Sequence, residues 1–145
     1  MYRLLIADDE ESIREGVADF VRQNCPEWDV AALARDGREA LALAREILPD
    51  AGLTDITMPH MNGLESDLLP EAKLLVLSGY DQFEYAVQAL RLGVSDYLLK
   101  PLDTAKLVSA LSRFAAELDA QALRWAQIET LRTNTQKTTE LELQS

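Results

Sequence analysis

An α/β fold, with a parallel sheet of five strands between layers of helix, is what this sequence predicts, and two observations predict it. Short apolar runs alternate along the chain with longer stretches whose apolar residues recur every three or four positions, the rhythm of strand and helix in turn. Two of those runs, Leu4 to Ala7 and the one ending at Thr54, lead directly into carboxylates. Strand ends beside loops are where open α/β sheets keep their chemistry. A length of 145 residues suits one domain with a sizeable core, and 48% hydrophobic and 27% charged residues are ordinary for a globular chain.

The elements follow in order. Tyr2 to Ala7 reads as a buried parallel strand. From Ser12, Ile13, Val17, Phe20 and Val21 fall at the spacing of a helix with one buried face, ended by Pro26. Trp28 to Leu33 is a second, alanine-rich strand. Asp36 with Glu39 resembles a capping box, the stripe Ala40, Leu43, Ala44 and Ile47 follows, and Pro49 closes that helix. Ala51 to Thr54 must be the third strand, although Ala51 and Gly52 are poor strand formers. Pro59, Asn62 and Gly63 stop it from continuing past Asp55. Lys73 to Leu77 is the fourth strand. Asp81 with Glu84 starts a helix with Phe83, Val87 and Leu90 on its stripe, and Gly93 stops it. Val94 to Leu99 is the fifth strand. This alternation implies right-handed crossovers and a flavodoxin-like three-layer domain.

The last helix begins near Asp103 and runs on. Leu107, Leu111, Phe114, Leu118, Trp125 and Ile128 keep close to a three-four alternation, interrupted by Gln121, the pattern of a coiled-coil seam. The expected organisation is a domain over 1–118, an extended helix or coiled-coil linker over 119–132, and a polar, disordered tail over 133–145.

Asp8 and Asp9 follow the first strand and Asp55 ends the third, so neighbouring parallel strands would gather three carboxylates in one crevice. At about 4 Å and an effective dielectric near 20, each pair repels by about 4 kcal/mol. Such a cluster calls for a cation, and oxygen-only ligands beside phosphate chemistry favour Mg²⁺. Ser78 closes the fourth strand with a hydroxyl, and Lys100 closes the fifth with an ammonium just before Pro101. Asp pair, Asp, Ser and Lys make a phosphoryl-transfer set.

At these residues the chain resembles the receiver domain of two-component response regulators, a CheY-like fold. The matching pieces are ADDEE at 7–11, TDITMPHMNG at 54–63, LSGY at 77–80 and DYLLKP at 96–101. The stretch from Ser78 to Pro101 is most similar to receivers joined to AraC-type DNA-binding domains, and the resemblance covers residues 2–118. Any one piece is a weak signal; four in order are strong.

The resemblance implies that Asp55 is phosphorylated by a partner sensor histidine kinase in a Mg²⁺-dependent reaction. It implies that Asp9, Asp55 and the Thr57 carbonyl ligate the metal while Asp8 acts through a water. Lys100 would neutralise the phosphoryl group, the peptide before Pro101 would be cis, Ser78 would bond a phosphoryl oxygen, and Tyr97 would be the switch aromatic. The modified protein would homodimerise through the fourth helix, fifth strand and last helix and regulate transcription, with no turnover of an external substrate. One departure stands out: only LESDLLP separates Gly63 from the next strand, so the family's third helix is shortened by one to two turns.

A phosphorylation-independent, degenerate receiver acting as an interaction module is the alternative that the short helix supports. A haloacid-dehalogenase-type phosphatase would need a second Asp two positions after the nucleophile, where this chain has Thr57. His60, in the acceptor loop, reads as a solvated loop residue, since phosphohistidine belongs to the donor kinase. A net charge of −11 argues against this segment gripping nucleic acid or an anionic membrane. Cys25 is the one cysteine, which excludes an internal disulfide and fits a buried inert thiol. MYRLLIADDEE has neither the apolar core of a signal peptide nor a membrane span, and the expected location is the cytoplasm.

Overall fold

The computed structural model describes residues 1–55, 72–79 and 95–144, with side chains throughout except at Ser78 and 134–144. The expected helices after Gly63 and from Asp81, together with Thr57, His60 and the acceptor-loop turn residues, lie outside the described residues.

Five strands, β1 (Tyr2–Ala7), β2 (Trp28–Ala34), β3 (Ala51–Asp55), β4 (Lys73–Ser78) and β5 (Asp96–Leu99), form one parallel sheet in the order β2-β1-β3-β4-β5. Helix α1 (Glu11–Asn24) joins β1 to β2, and α2 (Gly37–Ile47) joins β2 to β3. The chain moves one way across the sheet from β1 to β2 and the other way from β2 to β3. With right-handed crossovers that reversal puts α1 and α2 on opposite faces. It also opens a crevice at the carboxyl ends of β1 and β3, the topological switch point. Register places Ala7 beside Thr54, so Asp8 and Asp55 emerge at the same edge.

Alternation along the strands supplies both halves of the core. Leu5 and Ala7 of β1, Ala34 of β2, and Leu74 and Val76 of β4 pack with Ala40 and Ala44 of α2, and Tyr97 of β5 rests partly buried against them. Leu4 and Ile6 point to the other face and are buried there. Trp28, 1% exposed, donates from Nε1 to the Leu111 carbonyl at 2.9 Å and meets the Tyr2 ring at a centroid distance of 5.8 Å. Cys25 is buried, and burial with the nearby Glu27 charge pushes its thiol up from the ordinary range.

Ala51 and Gly52 form a strand because β3 runs between β1 and β4 and is buried along its whole length. Small residues lose little in a buried strand held between two neighbours, and tertiary position overrides propensity. Asp36 caps α2 as its sequence suggests, its Oδ1 accepting from the Glu39 amide at 2.8 Å.

The chain divides into two compact units, Met1–Ser112 and Arg113–Ser145. The C-terminal helix is assigned over Thr104–Gln144, and Asp103 Oδ1 accepts from the Ala105 and Lys106 amides at its start. The segment from Thr133 to Gln144, expected to be disordered, is therefore helical here. It contains neither Gly nor Pro, and extending an existing helix is far easier than starting one. Among the described residues no helix is long and apolar enough to cross a membrane.

Candidate functional site

The site grows from two strand ends. β1 delivers Asp8 and Asp9, and β3 delivers Asp55 as its last residue. One carboxylate oxygen from each of the three can be chosen so that all lie within 4.8 Å of one another. Asp8 and Asp55 are 1% and 2% exposed, whereas Asp9 faces solvent. β5 hands over to Lys100, whose Nζ donates to Asp55 Oδ2 at 2.8 Å and stands 3.8 Å from Asp8 Oδ2. A single ammonium thus serves two buried carboxylates.

Each group responds to this crowding. Burial raises the Asp8 carboxyl above its usual range; the Glu10 amide and the Lys100 charge pull against that, and Asp55 adds to it. For Lys100, burial alone would lower the ammonium, but the hydrogen bond and charge of Asp55, with Asp8 and Glu10, leave it raised overall and firmly protonated. Asp8 Oδ1 accepts from the Glu10 amide at 2.9 Å, while Oδ2 is buried and, among the described residues, accepts no hydrogen bond. A desolvated carboxylate oxygen without a hydrogen bond, on a residue clustered with two other carboxylates, suits a hard divalent cation with oxygen ligands.

Of the residues singled out in the sequence, Asp8, Asp9, Asp55 and Lys100 are brought together. The Lys100–Pro101 peptide bond is cis. Tyr97 is half-buried on β5, paired in register with Val76, and packs on the α2 side of the sheet rather than in the acidic crevice. Ser78 ends β4 opposite Leu99, at the same sheet edge as Asp55. Thr57 lies outside the described residues.

Arg14 was missed. It is buried on α1 together with Val17, Ala18 and Val21, and its Nη1 donates to the Asp8 carbonyl at 2.8 Å. The sequence stripe drawn through Ile13 and Phe20 is rotated by about one residue from the one the structure buries. A charged residue at positions i−3 and i−4 from Val17 and Ala18 was the available signal.

A crevice with three carboxylates and a lysine at the switch point of a 2-1-3-4-5 sheet narrows the field to few families, and comparison with known proteins decides among them. Residues 4–112 match the model of the response regulator receiver domain. The chain belongs to that family. It is 37% identical over 126 residues to the uncharacterized transcriptional regulatory protein YesN of Bacillus subtilis, covering 83% of this chain and 34% of that one. It is 38% identical over 121 residues to the transcriptional regulatory protein HptR of Staphylococcus aureus, covering 81% of this chain and 48% of that one. The receiver domain of AraT, a response regulator from Geobacillus stearothermophilus, superposes with a TM-score of 0.74 at 38% identity, over 83% of this chain and 98% of that one. The receiver chain thus spans between a third and a half of the length of these curated relatives.

Proposed function

We propose that this receiver is a phosphorylation-controlled switch that takes a phosphoryl group onto Asp55 from a sensor histidine kinase. The observation that carries the reading is the Asp55 carboxylate at the end of β3, held by Lys100 at 2.8 Å and flanked by the orphaned oxygen of Asp8. In the reaction an Asp55 oxygen forms a bond to phosphorus as the bond from phosphorus to the donor imidazole breaks, and that imidazole leaves with the electron pair. Lys100 is charged and close enough to follow the new phosphoryl oxygens as Asp55 loses its own charge. Asp9, Asp55 and the Thr57 carbonyl would hold Mg²⁺ directly, with Asp8 acting through a water. When bound, the metal would offset the charge of the transferring group and align it for in-line displacement.

Ser78, at the end of the neighbouring strand, would answer the modified Asp55, and Tyr97 on the next strand would follow it. Their movement would reshape the surface of the fourth helix, β5 and the C-terminal helix toward a homodimer. YesN and HptR are named as transcriptional regulatory proteins, which supports transcription as the output of the whole protein. The segment itself would contact neither nucleic acid nor membrane, would act in the cytoplasm, and would turn over no external substrate.

Intact mass after incubation with acetyl phosphate and Mg²⁺ tests this. One added phosphoryl group is expected, absent in Asp55→Ala and absent when the metal is chelated. No adduct, where a control receiver reacts, would replace the reading with a phosphate-independent interaction module.

A further inference from the structure

We propose that Arg14 is a positioning residue of the cation site, an assignment that rests on the reading of that site given above. Three hydrogen bonds pin Asp8. Its amide donates to the Ala34 carbonyl at 3.1 Å, its Oδ1 accepts from the Glu10 amide at 2.9 Å, and its carbonyl accepts from Arg14 Nη1 at 2.8 Å. The first belongs to the sheet and the second to the turn into α1. The third fixes the plane of the peptide between Asp8 and Asp9, and with it the direction in which Asp9 leaves the strand.

Folding alone does not ask for a guanidinium there. Arg14 is only 9% exposed and shares the buried stripe of α1 with Val17, Ala18 and Val21. A methionine would fill that stripe without the cost of burying a charge against a neutral carbonyl. What an apolar side chain could not do is hold the carbonyl of the one peptide that links two carboxylates of the cluster. Outer partners that fix the groups holding a metal typically account for ten- to a hundred-fold in affinity. Among the described residues Arg14 donates to the Asp8 carbonyl and to no carboxylate, so its action runs through backbone geometry rather than through a competing ion pair.

The test is calorimetric titration of the full chain with MgCl₂ alone, alongside thermal unfolding without metal, for the wild type, Arg14→Met, Arg14→Gln and Asp8→Asn. The wild type is expected to bind Mg²⁺ and Asp8→Asn to bind it far more weakly. If the wild type fails to bind, or Asp8→Asn binds equally, the cation reading of the site falls, and this assignment falls with it. Given a binding wild type, Arg14→Met and Arg14→Gln are expected to weaken Mg²⁺ about ten-fold or more while unfolding cooperatively. Affinity within two-fold of wild type in either folded variant overturns the positioning role and leaves the cation site standing. A chain that folds with neither substitution assigns Arg14 to the core and overturns it as well.

Discussion

At Asp8, burial holds the carboxyl above its usual range and, among the described residues, one oxygen accepts no hydrogen bond, so the folded chain works against that charge. Removing it should help the fold and harm the site. Asp8→Asn is expected to stabilise the metal-free protein by about 1–3 kcal/mol, because it removes the desolvated charge and its repulsion with Asp55. The check is a urea unfolding midpoint that moves up at unchanged slope, with the added protection by Mg²⁺ seen in the wild type now missing. A lower midpoint would mean that the ion pair to Lys100 at 3.8 Å outweighs burial. Asp8, Asp9, Asp55 and Lys100 were legible in the sequence because each follows an apolar run and sheet topology does the rest. Arg14 was less legible, since its spacing from Val17 and Ala18 marks a buried face while its partner, a backbone carbonyl six residues back, is not named by any side chain.

At the scale of the elements, α2 shows where local sequence decides and where it yields. Its start is written in Asp36 and Glu39. Its end is not: Leu48 adopts φ 51° and ψ 68°, a left-handed conformation, with its side chain 55% exposed. That conformation costs an L-residue about 1–2 kcal/mol, and glycine would adopt it freely at some entropic cost to the unfolded chain. Leu48→Gly is therefore expected to raise stability by a net 0.5–1 kcal/mol, about, visible as a melting temperature higher by a few degrees. No gain would mean that Leu48 makes compensating contacts. β3 shows the opposite relation, because Ala51 and Gly52 argue against a strand and only the crowding between β1 and β4 makes them one. The tail after Thr133 follows a related logic: its polarity suggests disorder, yet nothing in TNTQKTTELELQ stops a helix already under way, and the helix is assigned to Gln144.

For the molecule as a whole, the question is what the second unit does. The family match ends at 112, where the first compact unit also ends. Beyond it, Trp125 and Ile128 carry forward the three-four spacing of Leu111, Phe114 and Leu118, and they are 63% and 41% exposed. Large apolar side chains at a and d spacing on an extended helix suit a paired helix in the proposed dimer. Burying each contributes about 1.5 kcal/mol or more, and a homodimer buries each twice, so losing both removes about 6 kcal/mol, which is over four decades in a dissociation constant. Trp125→Glu combined with Ile128→Glu is expected to shift the chain to monomer in sedimentation velocity across a concentration series, by about ten-thousand-fold or more. The melting temperature of the receiver unit and the Mg²⁺-dependent phosphoryl adduct on Asp55 should both persist, because neither residue belongs to that unit. Unchanged association in the double variant would move the dimer contact off this helix and onto the receiver surface itself.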